Sequence, residues 1–215
     1  MLRVLRSEGT ERLEPGGKTT GARPLRGPSG PVRGAHGLLF EVHPEPEKAL
    51  SGRERSLDLD VLGGLYLVRQ LRPWHENLAK RQFKSPKVYV RDSGLLHALL
   101  SVASQAGLEG HPKCGASWEG FALEQVLRVA GARDCYYWGT HAGAELDLLL
   151  FRRGRRYGVE FKRSEAPTMT KSLHVALSDL RLDRAWIVYP GTEAYRVHER
   201  VEVVPLSAAA ERMVA

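Results

Sequence analysis

The 215-residue chain holds only two cysteines, Cys114 and Cys135, and no Cys-x-x-Cys pair. That excludes a disulfide framework and a cysteine-based zinc site, and it fits a reducing compartment. Eight histidines stand without zinc-ligand spacing, and His111 with Cys114 does not make a site alone. No stretch reaches the about 20 apolar residues of a membrane span, and the opening Met-Leu-Arg-Val-Leu-Arg-Ser-Glu-Gly lacks the apolar run of a signal peptide. The cytoplasm is the expected location, with no membrane partner. A complete phosphate loop is missing too. Pro15-Gly-Gly-Lys-Thr-Thr ends like one, but the position five residues before Gly17 is Arg12 and no apolar strand precedes it, so ATP is not expected in this chain.

What is present is ordinary for a soluble globular protein: 42% hydrophobic and 27% charged residues. The net charge of +7 favours a polyanionic partner. Residues 1–56 are rich in Gly, Pro, Arg and Glu with no sustained period, which predicts disorder. Residues 57–110 read as a helical and basic connecting segment, 111–206 as an α/β core, and 207–215 as an Ala-rich tail forming a frayed helix.

Within the connecting segment, Leu57 to Leu71 has helical spacing that survives Gly63-Gly64 at some cost, and Arg72-Pro73 ends it. A basic run follows: Lys80, Arg81, Lys84, Lys87 and Arg91, interleaved with Phe83 and Tyr89 and preceded by Trp74. Such interleaving suits a phosphate backbone and stacked bases. A solvated surface with its aromatics turned inward explains it as well. Lys87 to Val90 reads as a strand, Asp92 or Ser93 as the cap of a helix through Leu100, and Ser104 to Gly115 as a loop.

The candidate site lies in the core. Ala144 to Lys162 reads as a β-hairpin turning at Arg153-Gly154 or at Arg152 to Arg155, with Arg152 opposite Arg155 in either case. That register sets Asp147 opposite Glu160 and Glu145 opposite Lys162 on one face, with Leu146, Leu148, Leu150, Val159 and Phe161 on the other. Opposed carboxylates repel, and a divalent cation such as Mg²⁺ resolves the conflict; an ordinary solvated face is the plainer alternative. Ser117 to Ala130 has helical period, with Glu119 inside the apolar sector beside Ala122, Leu123 and Val126, and Glu124 and Arg128 on the polar face. A carboxylate on a buried helix face needs a partner or a metal. Beyond the hairpin, Thr170 to Leu180 reads as a helix and Ala185 to Tyr189 as a strand parallel to the preceding one. Val201 to Leu206 reads as an edge strand.

A helical Glu, then a strand Asp, then Glu-x-Lys is similar to the PD-(D/E)xK, or restriction-endonuclease-like, superfamily. Leu67 to Trp74, Lys84 to His97, Gly115 to Phe121, Gly143 to Asp147 and Glu160 to Ser164 together resemble the C-terminal module of bacterial and archaeal AAA-type ATP-binding proteins. The resemblance implies a mixed α/β fold with an α-β-β-β-α-β core. It implies a metal-dependent nuclease, or its inactive descendant, in which Glu119, Asp147 and Glu160 hold Mg²⁺ and Lys162 orients or deprotonates a water. Arg152, Arg153, Arg155 and Arg156 at the hairpin tip, with Lys80, Arg81, Lys84 and Lys87, are the nucleic-acid-binding candidates, DNA being the expected partner. The alternative is a non-catalytic nucleic-acid- or protein-binding module working with an AAA-type ATPase. Relatives carry an ATPase domain ahead of this module; residues 1–56 supply none, so a truncated or decayed copy is expected.

Overall fold

The computed structural model describes residues 52–75, 85–131 and 133–214. The expectation of disorder lies outside them for residues 1–51 and is corrected for residues 52–56, which are helical in α1; the candidates Lys80, Arg81 and Lys84 lie outside them. The chain runs α1 (Gly52–Gly64), β1 (Val68–Leu71), β2 (Lys87–Val90), α2 (Ser93–Leu99), α3 (Gln105–Glu109), α4 (Cys114–Ala130), β3 (Cys135–Gly139), β4 (Glu145–Arg152), β5 (Arg155–Phe161), α5 (Lys171–Asp179), β6 (Arg184–Tyr189), β7 (Tyr195–His198), β8 (Val201–Pro205) and α6 (Leu206–Val214). The fold is mixed α/β. No described helix is long and apolar enough to cross a membrane.

A six-stranded sheet in the order β3-β4-β5-β6-β8-β7 forms the centre, and β1 and β2 make a separate antiparallel ribbon. The β4–β5 hairpin closes in the expected register, Arg152 with Arg155 and Leu148 with Val159. Its turn places Arg153 at φ 49° and Gly154 at φ 76°, the left-handed pair of a type I′ turn, whose twist matches that of the strands. β5 and β6 are parallel, joined through α5, whose Thr170 hydroxyl accepts from the Leu173 N–H as an N-cap. Asp92 caps α2 in the same way through Leu95.

Helices cover both faces of the sheet. On one, Leu123, Val126 and Leu127 of α4 and Ala209 and Met213 of α6 join Leu148, Val159, Phe161, Val188 and Val204. On the other, Leu173, Ala176 and Leu177 of α5 join Leu146, Leu149, Ile187 and Val203. A Cβ at Gly158 would sit 2.6 Å from Leu182 Cδ1 and 3.2 Å from Leu146 Cδ2, so those buried leucine side chains would have to shift. The ribbon meets the sheet beside β3: Trp74 N–H donates to the Tyr137 carbonyl (2.7 Å) and Tyr137 N–H to the Arg72 carbonyl (3.0 Å).

Several expectations are corrected. The helix predicted through Leu71 stops at Gly64, because the Gly63-Gly64 pair weakens it; Tyr66 then turns at φ 59° and Val68–Leu71 gains strand partners in β2. The segment read as a loop contains α3, capped by the Ser104 hydroxyl. β8 is an interior strand, since the unforeseen β7 takes the edge. The tail is no frayed end: α6 buries Ala209 and Met213 in the core.

One irregularity decides the site. Tyr136 pairs with Leu149 but Trp138 pairs with Leu146, so β4 carries one extra residue there. Such a bulge breaks the alternation of side chains. Leu148 and Leu150 face α4 and α6 as expected, while Leu146 falls on the α5 side with Leu149.

Candidate functional site

The bulge re-aims Asp147. Its ladder with β5 ends at Leu148 and Val159, and beyond that point Asp147 Oδ2 accepts the Phe161 backbone N–H at 3.0 Å. Asp147 and Glu160 are therefore not a directly opposed ladder pair, which corrects the expectation. Glu145 likewise does not pair with Lys162, whose ammonium lies 2.8 Å from Glu160 Oε1.

Glu119 is brought in as predicted from α4, buried at 6% exposure. What meets it was not predicted. Lys87 and Tyr89 alternate along β2 and so share a strand face. The Tyr89 hydroxyl donates to Glu119 Oε1 at 2.6 Å, and the Lys87 ammonium sits 3.6 Å from Glu119 Oε1 and 3.5 Å from Asp147 Oδ1. Lys87 is only 6% exposed, too buried to lie along a nucleic-acid backbone, so its assignment as a surface binding residue is corrected. Its alternation with a buried tyrosine was the available signal.

Two networks result. In the first, Lys87 bridges Glu119 and Asp147, with Tyr89 beneath. In the second, Glu160 is held by Lys162 and by the Thr170 hydroxyl at 2.9 Å. The charge conflict that suggested a cation is thus met by two ammonium groups, a hydroxyl and a backbone N–H.

The electrostatics follow. Burial, then the Asp147 charge, pushes the Glu119 carboxyl up to about 7 against the opposing pull of Lys87 and Tyr89. Burial works against the Lys87 ammonium, but Asp147, Glu119 and Glu145 outweigh it and raise its pKa. Burial and the neighbouring Glu119 push Tyr89 well above the usual phenol range. Glu160 is raised by burial despite Lys162, and Lys162 is raised because Glu160 and Asp147 overcome its own burial.

The implied Mg²⁺ does not fit this arrangement. Asp147 spends one oxygen on Lys87 and the other on the Phe161 N–H, while both Glu160 oxygens face Thr170 and one also faces Lys162. Among the described residues no group of three His, Cys, Asp or Glu side chains is placed to hold one metal ion.

The hairpin-tip arginines stand apart. Arg152 lies five positions along β4 from Asp147, about 17 Å at roughly 3.3 Å per residue. Arg152 donates to the Met213 carbonyl of α6, and Arg156 to the Leu180 carbonyl after α5. Those two brace helix ends; Arg153 and Arg155 are exposed.

Glu124, expected on a polar face, is also buried. It receives the guanidiniums of Arg69 on β1 and Arg91 after β2, which clamp the ribbon to α4. Burial raises its pKa, but the two arginines outweigh that and leave it lowered.

Two family models match separate parts of the chain, each covering less than half of it. Residues 114–209 match a domain of unknown function, DUF4143. Residues 47–106 match a second, DUF8612. Lys87 and Tyr89 thus come from one matched region, and Glu119, Asp147 and Glu160 from the other. The chain is similar to uncharacterized proteins of Mycobacterium tuberculosis and Mycobacterium bovis, each 44% identical over 192 residues, which is 84% of this chain and 43% of each relative. It spans less than half the length of those relatives. A 28-residue stretch is 64% identical to part of a phospho-2-dehydro-3-deoxyheptonate aldolase of Thermotoga maritima, only 13% of this chain and 8% of that protein. No solved structure matches the chain.

Proposed function

We propose that α4-β3-β4-β5-α5-β6 is a restriction-endonuclease-like core that binds nucleic acid without cutting it, an inactive descendant of a metal-dependent nuclease that works with an AAA-type ATPase. One observation carries the loss of cutting: the Lys87 ammonium lies between Glu119 and Asp147, where a nuclease needs open carboxylate oxygens for its metal. A net charge of +7 and the exposed Arg153 and Arg155 support a polyanionic partner. The ATPase rests on the sequence resemblance.

The test is a set of labelled single- and double-stranded DNA and RNA substrates incubated with the full chain and Mg²⁺ or Mn²⁺. Binding that weakens steeply with salt, with no cleavage, is the expected result. Cleavage by the wild type that Glu160→Gln abolishes would establish the active nuclease instead. That second reading draws on Lys162, whose side chain is 42% exposed beside Glu160 and so is open to a substrate.

A further inference from the structure

A cleft of about 690 Å³ opens at the start of α4. Its floor includes Arg163, Ser164 and Glu165, which follow β5, and Pro190 and Gly191, which follow β6. Because β5 and β6 are parallel, this is the crevice outside the carboxyl ends of parallel strands where open α/β sheets take ligands. The start of α4 also lines it with Ser117, Trp118 and Phe121, as does His97 of α2.

The chemistry of the lining is uneven in an informative way. Phe121 is 40% exposed, and its ring centre lies 6.2 Å from that of Trp118, tilted by 49°. The Trp118 indole N–H is buried and has no hydrogen-bond partner among the described residues. Ser117 Oγ and His97 Nε2 bond one another at 2.7 Å, and each group is able to donate or accept. Arg163 and Glu165 line the cleft, and Lys162, next to Arg163 in the chain, is already paired with Glu160. A lone exposed Phe needs no explanation. Here it stands beside a second aromatic ring, a polar pair and the Arg163 guanidinium.

Resting on the nucleic-acid-binding reading, we infer that this cleft takes an unstacked base of a single-stranded nucleic acid, with Phe121 and Trp118 as the stacking platform and Arg163 on the adjoining phosphate. The volume suits one nucleotide unit. A duplex keeps its bases inside the stack, so only a single strand offers its π-face. Lys162, with a side chain 42% exposed, extends the cationic path towards Glu160.

The test is fluorescence anisotropy with a labelled oligothymidylate single strand and with the same strand annealed to its complement, using the full chain. The wild type should favour the single strand. Phe121→Ala and Phe121→Leu should each weaken single-strand binding about tenfold while leaving duplex binding unchanged; the Leu variant retains apolar volume, so a shared loss reports the ring. Arg163→Ala should lower the salt slope of single-strand binding by about one. Phe121 variants that bind the single strand as tightly as wild type would overturn the cleft, and so would a wild type that prefers the duplex, although duplex binding would leave the proposed function standing. A wild type that binds neither form overturns both.

Discussion

Two carboxylates on α4 sit five residues apart, both buried and both facing the β1–β2 ribbon, yet their surroundings drive them in opposite directions. Glu124 meets two guanidiniums, each able to donate in a fixed fork, and its pKa falls. Glu119 shares one ammonium with Asp147 and leans on a tyrosine hydroxyl, and its pKa rises to about 7. The first is a clamp, with more positive charge than negative. The second holds two carboxylates against one ammonium. Burial alone does not mark a functional residue; the balance of charge around it does.

The clamp should break with the largest effect. Glu124→Ala leaves Arg69 and Arg91 partly buried without their acid, and stability measured by urea unfolding at neutral pH should fall by about 3 kcal/mol. A loss under about 1 kcal/mol would show that the ribbon is held by apolar packing instead.

Lys87→Met comes next. It removes the ammonium between two carboxylates and should cost about 2 kcal/mol at pH 8, with a smaller loss at pH 5.5, where Glu119 takes up a proton. The same variant should become more heat-stable on adding Mg²⁺, unlike the wild type, because Glu119 and Asp147 are then left facing one another. Melting curves with and without the ion decide it.

Glu119→Gln sharpens the contrast through pH. The folded pKa of Glu119 is raised from 4.5 to about 7. The folded state therefore binds its proton more tightly than the unfolded state does. Stability from this group is complete below about 4.5 and is lost as pH rises through about 7, a change on the order of 3 kcal/mol. The Gln variant should lose most of that slope between pH 5 and 7.5, keeping the same-signed slope from Glu160. Unfolding at several pH values measures it, and an unchanged slope would place the titration elsewhere.

The smallest expected effect is away from both carboxylates. Arg153 holds φ 49° beside Gly154, and Asn tolerates that region better than Arg. Arg153→Asn should stabilise the hairpin by a few tenths of a kcal/mol and remove one exposed cation, visible in thermal melts and in the salt slope of binding.

Much of the fold was legible because its signals are local. The polar break at Arg153-Gly154 sets the hairpin register, Asp92 and Thr170 announce helix starts, and the apolar sector of α4 points Glu119 inward. The site was only half legible. Glu119, Asp147, Glu160 and Lys162 were named from sequence and do lie near one another, but their pairings depend on contacts across long sequence separations. Lys87 is 60 residues from Asp147, and the basic run around it reads as surface until Tyr89 is seen sharing its face. Glu124 looked solvent-facing on a helical wheel because the ribbon that covers it belongs to another part of the chain. β7 is as short as β2, but none of its four residues is buried, so no core-facing apolar run marks it.

The bulge in β4 makes the site depend on chain length as well as on residue type. Deleting one residue at Asp147 or Leu148 would restore strict alternation and move Leu146 and Glu145 each to the other face of the sheet, while every amino acid elsewhere stayed the same. A lineage of this fold therefore has an abrupt route for dismantling or rebuilding its polar centre. The codon count along one strand sets which helix layer a carboxylate serves, and a three-nucleotide insertion or deletion there would act as a switch that no single substitution reproduces.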